Sequence, residues 1–194
     1  IGRFLVRKSQ ASLEYVSEEG RAPLAEYLAR PVDLPRLTVT ELGNGPGFRP
    51  EVRFEGETFR GRELVGLADR LAENQHMTLA GRAALRWIVD YIDARGGSLD
   101  LRGENFVVLG AGAELAPTEM LLAAGARVLW IDVADPGRLL QNPAGLSGAL
   151  AQSSAGGNLL EQPREVVAAI RAFAAEHGPV HLGMFAYASG SSQE

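Results

Sequence analysis

The chain contains no cysteine. That excludes disulfides, zinc–thiolate centres and a cysteine nucleophile. It suits a reducing compartment, and a cytoplasmic location is the expectation. Long apolar runs are also missing, since no stretch approaches the roughly 18 residues that a membrane span requires. No secretory signal pattern is visible at the start. The first residue is Ile1 rather than Met, which points to a start further upstream. Basic clusters are absent: Arg60-Gly61-Arg62 stands alone and Arg7-Lys8 is only a pair. With a net charge of -5 and a pI near 5.3, a nucleic-acid or anionic-membrane surface is not expected.

Several catalytic signatures are missing as well. There are three histidines, His76, His177 and His181, and no two share a helix at ligand spacing, so no metal site is expected. No Gly-x-Ser-x-Gly elbow occurs: Ser189 precedes Gly190 but follows Ala188, and no histidine lies downstream. No lysine follows Gly112 as a phosphate-loop NTPase needs.

What is present is a chain of 194 residues, 46% apolar and 22% charged, enough for one sizeable core plus an appended arm. Residues 1–100 read as an N-terminal arm or small α+β domain, and residues 101–194 as a Rossmann-like nucleotide-binding half-domain. In the first part, Leu24–Leu28 is a short helix stopped by Pro31, and Leu37–Thr40 a short strand. Val52–Phe59 is a strand with Glu55-Gly56-Glu57 as a hairpin turn inside it. Helices over Leu64–Leu71 and about Leu79–Ala94 follow from apolar residues at helical spacing, and Gly96-Gly97 ends the second.

From Phe106 strands and helices alternate. Phe106–Leu109 and Arg127–Val133 are strands, and Pro117–Ala124 is a helix between them. Pro163–His177 is a helix with Val166, Val167, Ile170 and Phe173 on one face and Pro163 in its first turn. Val180–Ala186 is the last strand. The segment Asp135–Gly156 has no clear period; Leu146–Ala151 reads as a helical turn and Asn158–Leu160 as a short strand. The alternation predicts an α/β fold: a doubly wound, mostly parallel Rossmann-like sheet with helices on both faces.

The stretch Asn105–Pro117 reads NFVVLGAGAELAP. Apolar residues run into Gly110-Ala111-Gly112, as in a turn where the backbone must pass close to a pyrophosphate. Gly110 and Gly112 match the first two positions of that turn, and Ala113 and Ala116 keep it small. Leu115 stands where a third glycine belongs, and Glu114 adds a negative charge. Asp132 ends the next strand, where an acid accepts hydrogen bonds from an adenosine ribose and repels a 2′-phosphate. NAD is therefore favoured over NADP, a preference that Arg138 softens. A glycine turn with a strand-end acid also serves S-adenosylmethionine enzymes and α/β folds that bind other ligands or none.

Residues 104–190, including LEQPREVVAAIRAFAAEHGPVHLGMFAYASG from Leu160 to Gly190, resemble the short-chain dehydrogenase/reductase family. The resemblance makes Phe106–Gly112 the first strand and glycine turn, and Asp132 the ribose-binding acid. It makes Asn158-Leu159-Leu160 the third-strand end that flanks adenine, and Ala188-Ser189-Gly190 the Asn-Ala-Gly-like segment beside the cofactor. The implied cofactor contacts are thus Gly110, Gly112, Ala113, Leu115, Asp132, Asn158, Leu159, Ala188, Ser189 and Gly190. The family's later turn glycine is replaced by Glu114 and Ala116, and its Tyr-x-x-x-Lys pair is absent; Tyr91 and Arg95 belong to an ordinary amphipathic helix. Four parallel strands make half of a doubly wound sheet, so either further chain or a second subunit is expected to complete it.

The resulting expectation is an NAD(P)-dependent oxidoreductase acting on a carbonyl or hydroxyl group of a small substrate, possessing a cofactor-binding half but no assignable catalytic residue. The open alternatives are an S-adenosylmethionine-dependent methyltransferase and a non-catalytic Rossmann module. A homo-oligomer is the expected assembly.

Overall fold

The structure, a computed structural model, describes residues 12–17 and 20–186. Its centre is a five-stranded sheet of β3 (Leu37–Glu41), β6 (Asn105–Leu109), β7 (Arg127–Ile131), β8 (Ala149–Ser153) and β9 (His181–Met184). The spatial order is β3-β8-β7-β6-β9. Strands β8, β7, β6 and β9 are parallel, with Leu109 opposite Ile131 on one side and Met184 on the other. Strand β3 is antiparallel, pairing Val39 with Ala151, and brings a segment from the first part of the chain to the sheet's edge.

Strands β6 and β7 are apolar on both faces because helices cover both. On one face Val108, Val128 and Leu150 pack with Leu122 of α4 (Thr118–Ala123) and with Leu139 and Leu140 of α5 (Gly137–Gln141). On the other, Val107, Leu129, Ile131 and Ala151 pack with Val166, Ala169 and Phe173 of α6 (Pro163–His177). The parity of each strand thus assigns its side chains alternately to two cores. This is a Rossmann-like α/β fold with helices on both faces.

An N-terminal β-β-α segment precedes the sheet: β1 (Glu14–Ser17), β2 (Gly20–Pro23) and α1 (Leu24–Ala29). Tyr15 stacks on Tyr27 with ring centroids 3.8 Å apart, and the Arg164 guanidinium lies 4.8 Å from the Tyr27 centroid, joining the segment to α6. A second unit comprises β4 (Glu51–Phe54), β5 (Glu57–Arg60), α2 (Glu63–Glu73) and α3 (Leu79–Asp93). Its hairpin turns at Glu55 and Gly56, both at positive φ (50° and 84°), as a tight two-residue connection demands. Leu64, Leu67 and Ala68 of α2 and Val89 and Ile92 of α3 are buried. The bridge between Phe48 and Leu99 ties this unit's two ends together.

The third parallel strand corrects the sequence reading. It is Ala149–Ser153, and neither a helical turn over Leu146–Ala151 nor a strand over Asn158–Leu160 forms. Alanine and leucine favour helix in isolation. Here Ala149, Leu150 and Ala151 lie between two strands with both faces buried, and that position overrides their propensity. Asn158 instead opens a turn, its Oδ1 accepting from the Leu160 N–H at 2.9 Å and the Glu161 N–H at 3.3 Å.

Candidate functional site

The strand order reverses direction beside β6: the chain builds β7 and β8 to one side and then returns to place β9 on the other. In open α/β sheets the crevice at the C-terminal ends of the strands at such a point is where ligands bind. The Gly110–Pro117 turn leaves β6 there.

The turn is held from three sides. Gly110 has φ +78°, and its N–H donates to the Ile131 carbonyl at 2.8 Å. The chain after β9 crosses directly over it: Phe185 and Ala186 N–H groups both donate to the Leu109 carbonyl, at 2.7 and 2.9 Å. A Cβ on residue 110 would lie 2.3 Å from the Ala186 nitrogen, so only glycine fits. Beneath Gly112 lies the Trp130 ring, which a Cβ on residue 112 would approach to 3.1 Å. The Trp130 indole N–H is fixed on the Ala134 carbonyl at 2.9 Å. The buried Thr118 hydroxyl donates to the Ala111 carbonyl at 2.7 Å. Backbone and indole packing therefore account for both glycines.

Asp132 follows β7 and closes the arrangement. Its Oδ2 accepts from the Gly112 N–H at 2.9 Å and its Oδ1 from the Ala134 N–H at 2.8 Å. An ionised carboxylate has about four acceptor positions; two are used here, and two remain for donors from outside. Beside Asp132 a crevice of about 200 Å³ is bounded by Val133, Gln152, Ser153, Gly156 and Gly157. On the other side of the Ala134–Pro136 segment opens a larger cavity of about 750 Å³. Gly112, Ala113, Glu114, Glu119, Trp130 and Arg138 are among its lining residues, so Glu114 faces the same cavity as the glycine turn.

The residues named from the sequence are distributed unequally. Gly110, Gly112, Ala113 and Asp132 are linked by the bonds above and by the Ala113 N–H on the Gly110 carbonyl at 3.1 Å, but Asp132 lines the small crevice whereas Gly112 and Ala113 line the larger cavity. Leu115 is 86% exposed at the tip of the turn. Leu159 packs into the core beneath α6, and Asn158 spends its side-chain oxygen on its own turn. The strand-end position beside Asp132 belongs to Ser153, Gly156 and Gly157. Ala188, Ser189 and Gly190 lie outside the described residues. Sequence reasoning missed Trp130 and the crevice glycines. The available signal was Gly156-Gly157 shortly after an apolar-to-polar strand end.

His177 sits at the C-terminal end of α6 and His181 at the opposite end of β9 from the crevice, where it contacts Glu104 Oε2 at 3.1 Å. Among the described residues no group of three or more His, Asp or Glu side chains is placed to hold a metal ion. No helix among them is long and apolar enough to cross a membrane.

Fold and crevice together define a Rossmann-like α/β protein with an acid bound to its first turn. No family model matches the chain, and neither a curated protein nor a solved structure matches it.

Proposed function

We propose that the chain binds the adenosine half of NAD at Asp132 and that it serves an oxidoreductase acting on a carbonyl or hydroxyl group. The observation that carries the reading is the Asp132 carboxylate, bonded to the Gly112 N–H beside the crevice and retaining two acceptor positions. A ribose diol supplies two donors. The residual negative charge disfavours a 2′-phosphate, while Arg138 across the Ala134–Pro136 segment offsets part of that repulsion. The parallel order β8-β7-β6-β9 and the Gly110–Gly112 turn support the resemblance to short-chain dehydrogenases/reductases, from which Glu114 and Ala116 depart. NAD, when bound, supplies the hydride chemistry. The chain's own residues bind and orient its ribose, and no described residue is assigned to proton transfer.

A second reading rests on a different observation. In dinucleotide sites a helix N-terminus meets the pyrophosphate directly after the turn. Here α4 begins only at Thr118, after the Ala113–Pro117 segment, and Glu114 adds negative charge. An adenosine ligand without a pyrophosphate, S-adenosylmethionine, needs neither feature, which makes a methyltransferase the alternative. Calorimetric titration with NADH, NADPH and S-adenosylhomocysteine tests both. NADH binding that exceeds NADPH binding supports the oxidoreductase, and saturation by S-adenosylhomocysteine alone replaces it with the alternative. A chain that binds none of the three has neither function.

A further inference from the structure

Remote from the sheet edge, the unit built from β4, β5, α2 and α3 contains a cavity of about 520 Å³. Ligand pockets of this size typically pair an apolar floor with a few polar groups that orient the ligand. The floor here is Leu64, Leu85, Ile88, Val89 and Ile92. Its rim carries three arginines, Arg49, Arg60 and Arg62, and two acids, Glu63 and Asp93.

The three arginines at the rim are engaged unequally. Arg60 pairs with Glu51 at 2.8 Å, and its backbone N–H donates to Glu63 Oε2 at 3.0 Å. Arg62 pairs with Asp93 at 3.1 Å and with Asp90 at 3.2 Å. Asp93 is thus paired with a guanidinium, while Glu63 accepts only a backbone N–H. Arg49 has no carboxylate partner among the described residues; its Nε donates to the Ser98 hydroxyl at 3.3 Å, which orients the guanidinium. The N-terminus of α2 also opens at this rim, where Arg62 provides no side-chain cap. An apolar floor beneath an arginine without a carboxylate partner offers a place for an anion with a hydrocarbon tail.

We propose that this cavity binds a free medium-chain monocarboxylate, with the carboxylate on Arg49 and the chain lying along α3. The stretch from Leu85 to Ile92 extends about 10 Å at 1.5 Å per residue, which suits a chain of about eight carbons. The proposal is independent of the nucleotide reading, because none of these residues lines the crevice at Asp132.

The test is calorimetry on the full chain with octanoate, octylamine and octanol at neutral pH. Octanoate is expected to saturate one site and to bind at least tenfold more tightly than either neutral or cationic analogue. Arg49 is exposed, so Arg49→Gln should fold normally and reduce octanoate affinity at least tenfold, with partial recovery in Arg49→Lys. Asp132→Ala should leave octanoate binding unchanged. Absence of octanoate binding, equal binding of octanoate and octylamine, or an unaltered affinity in Arg49→Gln would each overturn the proposal.

Discussion

The Gly112 N–H donates to the Asp132 carboxylate at 2.9 Å, tying the turn after β6 to the end of β7. The same carboxylate holds the Ala134 N–H at 2.8 Å, so one side chain fixes both loops at the crevice. Asp132→Ala removes both bonds and should destabilise the fold by about 1–3 kcal/mol. It should also weaken NAD about ten- to hundredfold and narrow the preference over NADP. Denaturant melts and calorimetry on the same samples separate the two effects. A stability loss with unchanged NAD affinity would leave Asp132 a purely structural acid.

Gly110 and Gly56 separate crowding from backbone strain. Both have positive φ, 78° and 84°, but only at Gly110 would a Cβ meet backbone, at 2.3 Å from the Ala186 nitrogen. Gly56→Ala should cost about 1–2 kcal/mol, the left-handed penalty alone. Gly110→Ala should cost about 3 kcal/mol or more, because the segment after β9 must also shift. Equal urea midpoints for the two variants would contradict the close approach.

Thr78 caps α3, its hydroxyl accepting from the Gly81 N–H at 3.0 Å. Thr78→Ala should lower stability by about 1 kcal/mol, and Thr78→Ser should restore most of it. Thermal unfolding of the three proteins measures this directly. No difference between the alanine and serine variants would show that the hydroxyl bond contributes nothing.

Asp100 provides a pH-dependent prediction. The Arg102 guanidinium donates to both its carboxylate oxygens, at 2.9 and 2.6 Å, and the Arg102 backbone N–H adds a bond at 3.0 Å. The side-chain bond is the larger cause, and together they lower the Asp100 pKa to about 2. A depressed folded-state pKa contributes stability that is complete above the ordinary carboxylate range, about pH 4, and is lost as pH falls through about 2. NMR titration should find Asp100 ionised at pH 3 in the wild type. In Arg102→Gln its midpoint should rise toward ordinary values, with the backbone bond keeping part of the shift.

Burial makes Phe173 the pivot of the α6 face. It is fully buried against the core that includes Leu129 and Ile131. Phe173→Ala should cost about 3–5 kcal/mol, whereas Leu115→Ala, at a side chain 86% exposed, should stay within about 0.5 kcal/mol. Comparable losses at the two positions would place the core elsewhere.

The helix over Pro163–His177, the hairpin turn at Glu55-Gly56 and the strands read as Phe106–Leu109 and Arg127–Val133, which form over Asn105–Leu109 and Arg127–Ile131, were legible in the sequence. In each, the signal is local: spacing of apolar residues, a turn residue that tolerates positive φ, or a continuous apolar run. The proximity of Gly110, Gly112 and Asp132 was also legible, because a strand–helix–strand unit returns the second strand parallel to the first. The identity of β8 was not. Ala149-Leu150-Ala151 has no strand-forming preference of its own and becomes a strand because β7 and β3 supply its hydrogen bonds from either side. Nor did any local pattern place Trp130 beneath Gly112 or the segment after β9 above Gly110. Those contacts join residues distant in sequence, so they exist only once the sheet has assembled and its loops share one edge.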